Sequence, residues 1–165
     1  MKNIKYIISA LSLLIAFGLQ AQQQMPDVSI KTLEGKPINI TEYAKNGKVT
    51  VVSFWATWCS PCKRELDAIA DYYEDWQADY DMELVAVTID NVRALSKVKP
   101  MVESKGWEYI ILSDVKSALP QALNFNDIPH TFILDKAGNI AYRHSGYTPG
   151  DEDELEAKIK ELSAK

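Results

Sequence analysis

The sequence predicts an α/β domain in which helices cover a mixed β-sheet. Two runs of β-branched and apolar residues, Val49–Trp55 and residues 82–89, have the composition of strands that are buried on both faces. Large apolar side chains recur at helical spacing between these two runs. Two short strands around a turn, and then an amphipathic helix, complete the chain. Strands and helices that alternate in this order form an α/β sandwich around a mixed sheet.

Composition sets the class of protein before any motif is considered. The chain has 165 residues, of which 47% are hydrophobic and 25% are charged, and its mean hydropathy is −0.19. These values are typical of one globular domain with a conventional core. The net charge of −5 and the pI near 5.1 argue against nucleic acid as a partner, because phosphate contacts need a basic patch. Two cysteines are too few for a disulfide-rich scaffold.

Residues 1–21 have the pattern of a secretory signal peptide. Lys2 and Lys5 supply the positive start, and residues 6–19 form an uncharged stretch rich in Ile and Leu. This stretch has 14 residues, fewer than the roughly 20 that a membrane-spanning helix needs. The small residue Ala21 follows at a position suited to cleavage. The alternative is an N-terminal anchor that is not cleaved.

Cleavage would leave residues 22–165 as the folded domain. Two lysines would be lost with the leader, so 16 basic residues would face 23 acidic ones, for a net charge of −7. Both cysteines would then lie outside the cytoplasm, where disulfides persist.

The first half of the domain begins with turn residues at positions 33–37 and 46–48. We expect a hairpin-like segment and one helical turn around them, and then the strand Val49–Trp55. A helical face follows within residues 61–80, because five apolar side chains recur there at intervals of three and four residues: Leu66, Ile69, Tyr73, Trp76 and Tyr80. The strand over residues 82–89 comes next.

The second half is predicted from turn signals and shorter apolar runs. Residues 91–105 are expected to form a helix that is kinked or broken near Pro100, because proline lacks the amide hydrogen. The hairpin strands flank the turn at residues 136–139, and the last helix begins within residues 148–151. The expected elements are a strand over 108–112, a helix over 117–123, hairpin strands over 131–134 and 140–144, and the final helix with its stripe Leu155, Ile159 and Leu162.

The motif Trp58-Cys59-Ser60-Pro61-Cys62 lies where a buried strand gives way to a helix. Cys59 is therefore expected near the helix N-terminus, where free backbone N–H groups and the helix dipole stabilise a thiolate. Cys62 follows one turn later and is placed to attack a mixed disulfide on Cys59. Pro61 suits a first turn, because no helical hydrogen bond is lost there.

Glu65 lies three residues beyond Cys62 on the same helix face, where a buried carboxylate would exchange a proton with the Cys62 thiol. The alternative for Glu65 is a surface ion pair.

Two further explanations of the cysteines are a structural disulfide and a metal site. A loop of four residues removes little entropy from the unfolded chain, about 2 kcal/mol, so a bridge placed for stability usually spans more residues. A four-ligand metal site would need both cysteines and both histidines, but His130 and His144 are fourteen positions apart, outside the usual finger spacing. Redox chemistry is the favoured interpretation.

Three stretches resemble the thioredoxin superfamily, and specifically the extracytoplasmic TlpA/ResA-like thiol-disulfide oxidoreductases. They are VVSFWATWCSPCKREL at residues 51–66, IPHTFILD at residues 128–135, and Gly138. The resemblance implies a thioredoxin fold with a βα element inserted before the proline-containing loop. The 66 residues between Cys62 and Pro129 have room for this element, at residues 82–105, but not for a large helical insertion.

The resemblance also implies roles for individual residues. Cys59 is the nucleophile, Cys62 is the resolving cysteine, and together they form the redox disulfide. Glu65 is the acid–base group. The substrate-binding residues implied are Trp58, Ile128 and Pro129. Pro129 matches a cis-proline beside the cysteines, and Ile128 would offer its backbone to an extended substrate.

Two positions depart from common patterns of the superfamily. Ser53 stands where cytoplasmic thioredoxins carry a buried aspartate, which leaves Glu65 as the acid–base candidate. His130 stands where a threonine is common. His130 either tunes a cysteine or is a hydrogen-bonded structural histidine.

The resemblance implies a disulfide reductase of envelope proteins, periplasmic or otherwise extracytoplasmic, monomeric and without a cofactor or metal. A membrane electron-delivery reductase would restore its dithiol. An oxidant or isomerase of the same fold is the first alternative, since direction depends on the reduction potential. A peroxidase and a metal or heme chaperone are the alternatives from other classes.

Overall fold

The computed structural model describes residues 23–165, in which seven strands form one mixed sheet. The signal peptide predicted at residues 1–21 lies outside this range. The strand order is β2-β1-β5-β4-β3-β6-β7. The strands are β1 (Ser29–Thr32), β2 (Pro37–Asn39), β3 (Val49–Trp55), β4 (Met82–Thr88), β5 (Ile110–Ser113), β6 (His130–Leu134) and β7 (Ile140–Ser145).

Within the described residues, five α-helices and one short 3-10 turn lie between the strands, and a sixth α-helix follows β7. The helices are α1 (Thr41–Ala44), α2 (Ser60–Ala70), α3 (Tyr73–Tyr80), α4 (Val98–Lys105), α5 (Ala118–Leu123) and α6 (Asp151–Ser163), and the 3-10 turn is Leu95–Lys97. The expected α/β architecture is confirmed, and the βα element before the proline loop consists of β4 and α4. Within residues 23–165, no helix is long and apolar enough to cross a membrane.

The centre of the sheet is buried on both faces. β3 pairs in parallel with β4 and antiparallel with β6, and all seven residues of β3 are buried. Alternate side chains therefore enter two separate cores: Val51 packs on the α2 and α6 side, and Val52 on the α1 and α5 side. This double burial explains why β3 has a continuous apolar sequence rather than an alternating one.

The helical face predicted within residues 61–80 belongs to two helices and not to one. α2 ends at Ala70 and α3 begins at Tyr73. At the break, the amide of Tyr72 donates to the carbonyl of Ile69, 3.1 Å away, so the last turn of α2 tightens to an i,i−3 bond. The apolar spacing continues across the break because both helices cover the same core.

Pro100 does not break the helix that contains it, so this part of the prediction was wrong. Pro100 is the third residue of α4, which begins at Val98. The first amides of a helix have no intrahelical acceptor, so the missing N–H of proline costs nothing there. The irregular part is the 3-10 turn that precedes α4.

The two ends of the described chain meet at the turn between β6 and β7. The amide of Ile140 donates to the carbonyl of Gln23, 2.7 Å away, and Gln24 forms a β-bridge with Asn139. The Nζ of Lys136 donates to the carbonyl of Ser163 at the end of α6, 2.7 Å away. Both ends are therefore fixed at the end of β6 that is remote from Pro129.

Gly138 lies in this turn at φ +83°, and a Cβ built on it would lie 2.7 Å from the carbonyl oxygen of Ala44. We expect Gly138→Ala to destabilise the fold for two reasons. The left-handed backbone costs a non-glycine residue about 1–2 kcal/mol, and the contact with rigid backbone adds about 1–3 kcal/mol. Urea unfolding measures the total.

Gly35→Ala is the matched control for this substitution. Gly35 has nearly the same φ of +84°, but a Cβ there would have no atom within 4 Å. It should show the cost of the backbone conformation alone. Equal losses in the two variants would contradict the close contact at Gly138.

Candidate active site

Cys59 and Cys62 form a disulfide at the N-terminus of α2, with their Cα atoms 5.4 Å apart. β3 ends at Trp55, and the amide of Cys59 donates to the carbonyl of Ala56 in a tight turn. The turn redirects the chain from the buried strand into the helix. It thereby presents the disulfide at the carboxyl end of the central strands.

Cys59 is the N-cap residue of α2. Its Sγ accepts a hydrogen bond from the amide of Cys62, 3.3 Å away, and its carbonyl accepts from the amide of Lys63. Pro61 lies in the first turn, where it removes no helical hydrogen bond. Cys59 is 4% exposed and Cys62 is fully buried. An N–H donor and the helix dipole at Sγ are the features that stabilise a thiolate.

The peptide bond between Ile128 and Pro129 is cis. The Sγ of Cys59 lies 3.8 Å from the carbonyl oxygen of Ile128, so the proline loop and the disulfide are in contact. The carbonyl of Pro129 accepts a hydrogen bond from the amide of Gly146, 2.9 Å away, which fixes the loop to the end of β7. Ile128 is half-buried and adjoins the disulfide through its backbone.

The carboxylate of Glu65 is buried between α2 and the sheet. Its Oε2 accepts from Ser53 Oγ at 3.0 Å, and its Oε1 accepts from Thr131 Oγ1 at 2.8 Å. These two hydroxyl residues are directly paired across β3 and β6. Ser53 therefore provides a donor for the carboxylate that α2 supplies. The surface ion pair considered for Glu65 is wrong, because its residue exposure is 5%.

Burial raises the pKa of Glu65 to about 7. The hydrogen bonds from Thr131 and Ser53 oppose this rise by stabilising the carboxylate, but burial has the larger effect. Glu65 and Cys62 lie one turn apart on the buried side of α2. A carboxyl group that titrates near neutral pH is suited to exchange protons with a neighbouring thiol.

Two large apolar side chains are exposed in the loops that follow β3 and β4. Trp58, adjacent to Cys59, is 66% exposed, and Val92 is 76% exposed. Val92 lies in the segment that follows β4. Asp90, in the same segment, accepts hydrogen bonds from Thr57, which precedes the disulfide. The sequence carries no signal for Val92, because only its exposure in the fold distinguishes it from other valines.

Asp90 is a fully buried carboxylate that the sequence analysis missed. It accepts from the amide and the hydroxyl of Thr57, both at 2.8 Å, and from Thr88 Oγ1 at 2.7 Å. Thr57 precedes the disulfide by two residues. Asp90 therefore joins the end of β4 to the turn that carries Trp58 and Cys59. An aspartate directly after a buried strand was the only sequence signal for this role.

We expect Asp90→Asn to weaken both the fold and the turn. An amide has one acceptor oxygen in place of two and would direct its NH₂ group at donors of Thr57. Because hydrogen bonds to charged groups contribute about 1.5–3 kcal/mol each, the loss of stability should be about 2 kcal/mol or more. Urea unfolding tests the stability, and the rate of exchange with a small disulfide tests the turn. Asp75→Asn, at an exposed position, should change neither quantity, and unchanged unfolding of Asp90→Asn would contradict this role.

The two histidines occupy different environments. His130 is buried, and its ring stacks on Phe125 with centroids 4.2 Å apart. Burial lowers the pKa of His130, and its Nδ1 lies 3.4 Å from Asp127 Oδ1. His144 is partly exposed and contacts Asp151. Among residues 23–165, no three His, Cys, Asp or Glu side chains cluster as a metal site would require.

The profile of the AhpC/TSA family matches residues 21–143, well over half of the chain. The chain belongs to the AhpC/TSA family. Among its relatives, the thioredoxin-like protein YneN of Bacillus subtilis (strain 168) is 32% identical over 145 residues, which cover 86% of this chain and 80% of YneN. The thiol-disulfide oxidoreductase ResA of Geobacillus thermodenitrificans is 30% identical, with 70% of this chain and 63% of ResA covered.

The fold of this AhpC/TSA family member is that of thioredoxin-like proteins. A solution structure of an uncharacterised thioredoxin-like protein from Porphyromonas gingivalis superimposes with a TM-score of 0.76 at 43% identity, covering 87% of this chain and 94% of that one. The resemblance to ResA-like proteins and the thioredoxin fold are thus confirmed. The relatives support an oxidoreductase role for this chain, and the Cys59–Cys62 disulfide supplies its redox pair.

Proposed function

We propose that the protein is a thiol-disulfide oxidoreductase that reduces disulfides of other proteins through Cys59 and Cys62. The observation that carries this proposal is the disulfide at the N-terminus of α2, with Cys59 next to the Ile128 carbonyl and Glu65 buried behind Cys62. Each of these features serves thiol-disulfide exchange. A bridge that served stability alone would not need them.

The reaction starts from the reduced dithiol. The Cys59 thiolate attacks one sulfur of the substrate disulfide, forms a mixed disulfide and expels the other sulfur as a thiolate. Cys62 transfers its proton to the Glu65 carboxylate and attacks Cys59 Sγ, so the second substrate sulfur leaves. The two electrons that reduce the substrate come from the two cysteines, which end as the disulfide present in this structure.

The substrate surface in this proposal is formed by Trp58, Ile128 and Pro129. The carbonyl of Ile128 lies beside Cys59, where it can accept a hydrogen bond from an extended substrate chain. Trp58, next to Cys59 in the chain, offers an exposed aromatic face. A disulfide in an unfolded or extended segment with apolar neighbours fits this surface.

The test of the function is the electron balance of one turnover. The reduced full-length protein is mixed with a protein that contains a single disulfide. We expect one substrate disulfide to be reduced for each chain that becomes oxidised, as measured by mass after alkylation of free thiols. Failure of the protein to become oxidised as substrate thiols appear would contradict the proposal. Consumption of peroxide with no protein substrate would instead favour the peroxidase alternative.

The reducing direction is a separate part of the proposal. Equilibration with dithiothreitol or glutathione redox buffers gives the reduction potential of the Cys59–Cys62 pair. A value well below −200 mV, in the range of about −270 mV that reductases of this fold reach, supports the reductase. A value near about −120 mV, as for strong oxidants, would favour the oxidant alternative.

We further propose that the protein works outside the cytoplasm as a monomer, after removal of residues 1–21 as a signal peptide. Its partners would be disulfide-bearing envelope proteins and a membrane electron-delivery reductase that restores the dithiol. Cell fractionation with N-terminal sequencing of the recovered protein tests the location and the cleavage together. A mature chain that starts near residue 22 supports the proposal, and a cytoplasmic full-length chain would contradict it.

A further inference from the structure

A small cavity lies against the Glu65 carboxyl and extends towards the N-terminus of α6. Its free volume of about 10 Å³ corresponds to about one water molecule. Neither cysteine lines it. The cavity therefore reaches the carboxyl from a side other than the disulfide. Its lining residues are Glu65, Ile69, Thr131, Tyr142, His144, Tyr147, Asp151, Glu152 and Leu155.

The sheet aligns three polar side chains along one line from the core to the cavity. Ser53 on β3 is paired with Thr131 on β6, and Thr131 is paired with His144 on β7. Directly paired residues have side chains on the same face of the sheet. Glu65 lies over the first two and accepts a hydrogen bond from each. His144 is the next polar group towards solvent.

His144 connects the cavity to the protein surface. Its Nε2 lies 3.2 Å from Asp151 Oδ2, and the His144 and Asp151 side chains are 28% and 32% exposed. Asp151 is fixed in turn, because Oδ2 also accepts from the amide of Thr148 at 2.6 Å. An imidazole held by a carboxylate, half in a cavity and half in solvent, has the arrangement of a proton shuttle.

We propose that the proton which Glu65 takes from Cys62 leaves to solvent through this cavity, with His144 as the receiving group and Asp151 as the residue that orients its ring. This inference rests on the proposed oxidoreductase function. It assigns His144 a part in the reaction that the sequence analysis gave to neither histidine.

The proton balance follows the resolving step. Cys62 gives its proton to Glu65 as it attacks Cys59, and the neutral carboxyl then passes the proton, over one water in the cavity, to the His144 imidazole. His144 releases it to bulk solvent and Glu65 returns to the carboxylate. No electrons move in this part of the cycle, and no further reactant is needed.

Other ionisable groups face the same space from each packed element. Burial sets the pKa of Glu65, the charge of His144 lowers it, and the charge of Asp151 raises it. The pKa values of both cavity tyrosines are raised to about 12, mainly by burial, so they remain neutral in the range where Glu65 titrates. The groups that line the cavity besides Glu65 and His144 are Tyr142 on β7, Tyr147 before α6, and Asp151 and Glu152 on α6. Beyond the lining, Glu154 hydrogen-bonds Tyr142, and Tyr109 interacts electrostatically with Glu65.

The experiment follows the resolving step in a single turnover of the full-length protein. The reduced chain is mixed with a disulfide peptide in excess, and the attack and resolving phases are separated by their dependence on peptide concentration. At pH 6 most Glu65 carboxyls start protonated, since the pKa is about 7, and must lose that proton before Cys62 can deprotonate. We expect His144→Gln to slow resolution about tenfold at pH 6, below the roughly 10²-fold typical of direct acid–base groups.

At pH 8 Glu65 starts as a carboxylate, so we expect wild type and His144→Gln to resolve at equal rates. Added imidazole should restore at least half of the loss at pH 6, whereas sodium chloride at matched ionic strength should not. The attack phase should be unchanged in both proteins. Arg143→Gln alters an exposed neighbour on the same strand and should resemble wild type at both pH values.

Three results would overturn the route. They are equal resolution rates of wild type and His144→Gln at pH 6, a slowing of His144→Gln at pH 8 as large as that at pH 6, or no rescue of His144→Gln by imidazole. Rescue by imidazole but not by sodium chloride would exclude a purely electrostatic role of His144. If His144→Gln fails to fold, Asp151→Asn replaces it in the experiment, because it keeps the imidazole but removes the carboxylate that orients it. Asp151→Asn should slow resolution less than His144→Gln would, with the same pH dependence. An absent attack phase in wild type would contradict the oxidoreductase function itself, which is a different outcome.

Discussion

Replacing Cys59 by serine is expected to abolish disulfide exchange, with kcat/KM reduced at least about 10³-fold, because a serine hydroxyl supplies no thiolate at neutral pH. Cys62→Ser should keep the first step and stop at the mixed disulfide. The two variants lose the same disulfide, so both should be about 2 kcal/mol less stable than the oxidised wild type. Any difference in reactivity between them is therefore chemical.

Mass spectrometry of the two variants after incubation with a disulfide substrate separates the roles of the cysteines. Cys62→Ser should carry one substrate chain on Cys59, released by dithiothreitol, and Cys59→Ser should carry none. The reverse pattern would exchange the nucleophile and the resolving cysteine. Full activity of Cys59→Ser would remove the pair from the mechanism. The same Cys62→Ser trap, expressed in native cells, identifies the substrates by the proteins bound to Cys59.

Glu65→Gln is expected to slow the resolving step about 10- to 100-fold at pH 7, since the amide cannot accept the Cys62 proton. The pH dependence should change as well. In wild type the rate should level off above about pH 7, where Glu65 is ionised. In the variant it should continue to rise towards pH 9, because the thiol must ionise by itself near its ordinary pKa of about 8.5. An unchanged pH profile would remove Glu65 from the proton transfer.

The same substitution has a consequence for stability whose sign follows from the raised pKa. Burial raises the pKa of Glu65 from 4.5 to about 7, so the folded protein holds the proton more tightly than the unfolded chain. This contribution is complete below about pH 4.5 and is lost as pH rises through 7. The loss amounts to about 3 kcal/mol for such a shift.

Glu65→Gln should therefore gain stability relative to wild type between about pH 4.5 and pH 7, by about 3 kcal/mol. Urea unfolding of the oxidised proteins at several pH values measures the difference. Glu74→Gln, at an exposed position on α3, is the control and should parallel wild type. A constant difference between Glu65→Gln and wild type across this range would contradict the raised pKa.

The sequence predicts best those parts of the fold whose pattern of apolar residues is compatible with only one kind of element. β3 and β4 are buried on both faces, which a continuous apolar run signals directly. The break between α2 and α3 was not predictable from spacing, because Ile69 and Tyr73 face one core from two helices. The break predicted at Pro100 was also wrong, because the effect of a proline depends on where the helix begins. Pro100 lies in the first turn of α4, where its missing N–H breaks no hydrogen bond.

The candidate site likewise contains residues that the sequence predicts and residues that it does not. Cys59, Cys62 and Glu65 lie within seven consecutive residues, so a local motif contains them all. Ser53 and Thr131 bind Glu65 from two strands that meet only in the folded sheet. Asp90 and His144 likewise reach the site through strand pairing and loop contacts. A single sequence carries no signal for partners that are distant along the chain.

The attachment of residues 23–24 and of Ser163 to the β6–β7 turn has a practical consequence for experiments in which the protein is immobilised on a surface. Gln23 and Gln24 contact residues 139–140, and Ser163 contacts Lys136, while Trp58 and Pro129 lie near the other end of β6. A linker joined directly before Gln23 or after Lys165 should therefore leave the disulfide pointing away from a sensor chip or bead. Immobilised protein should exchange disulfides with large substrates as readily as with small ones.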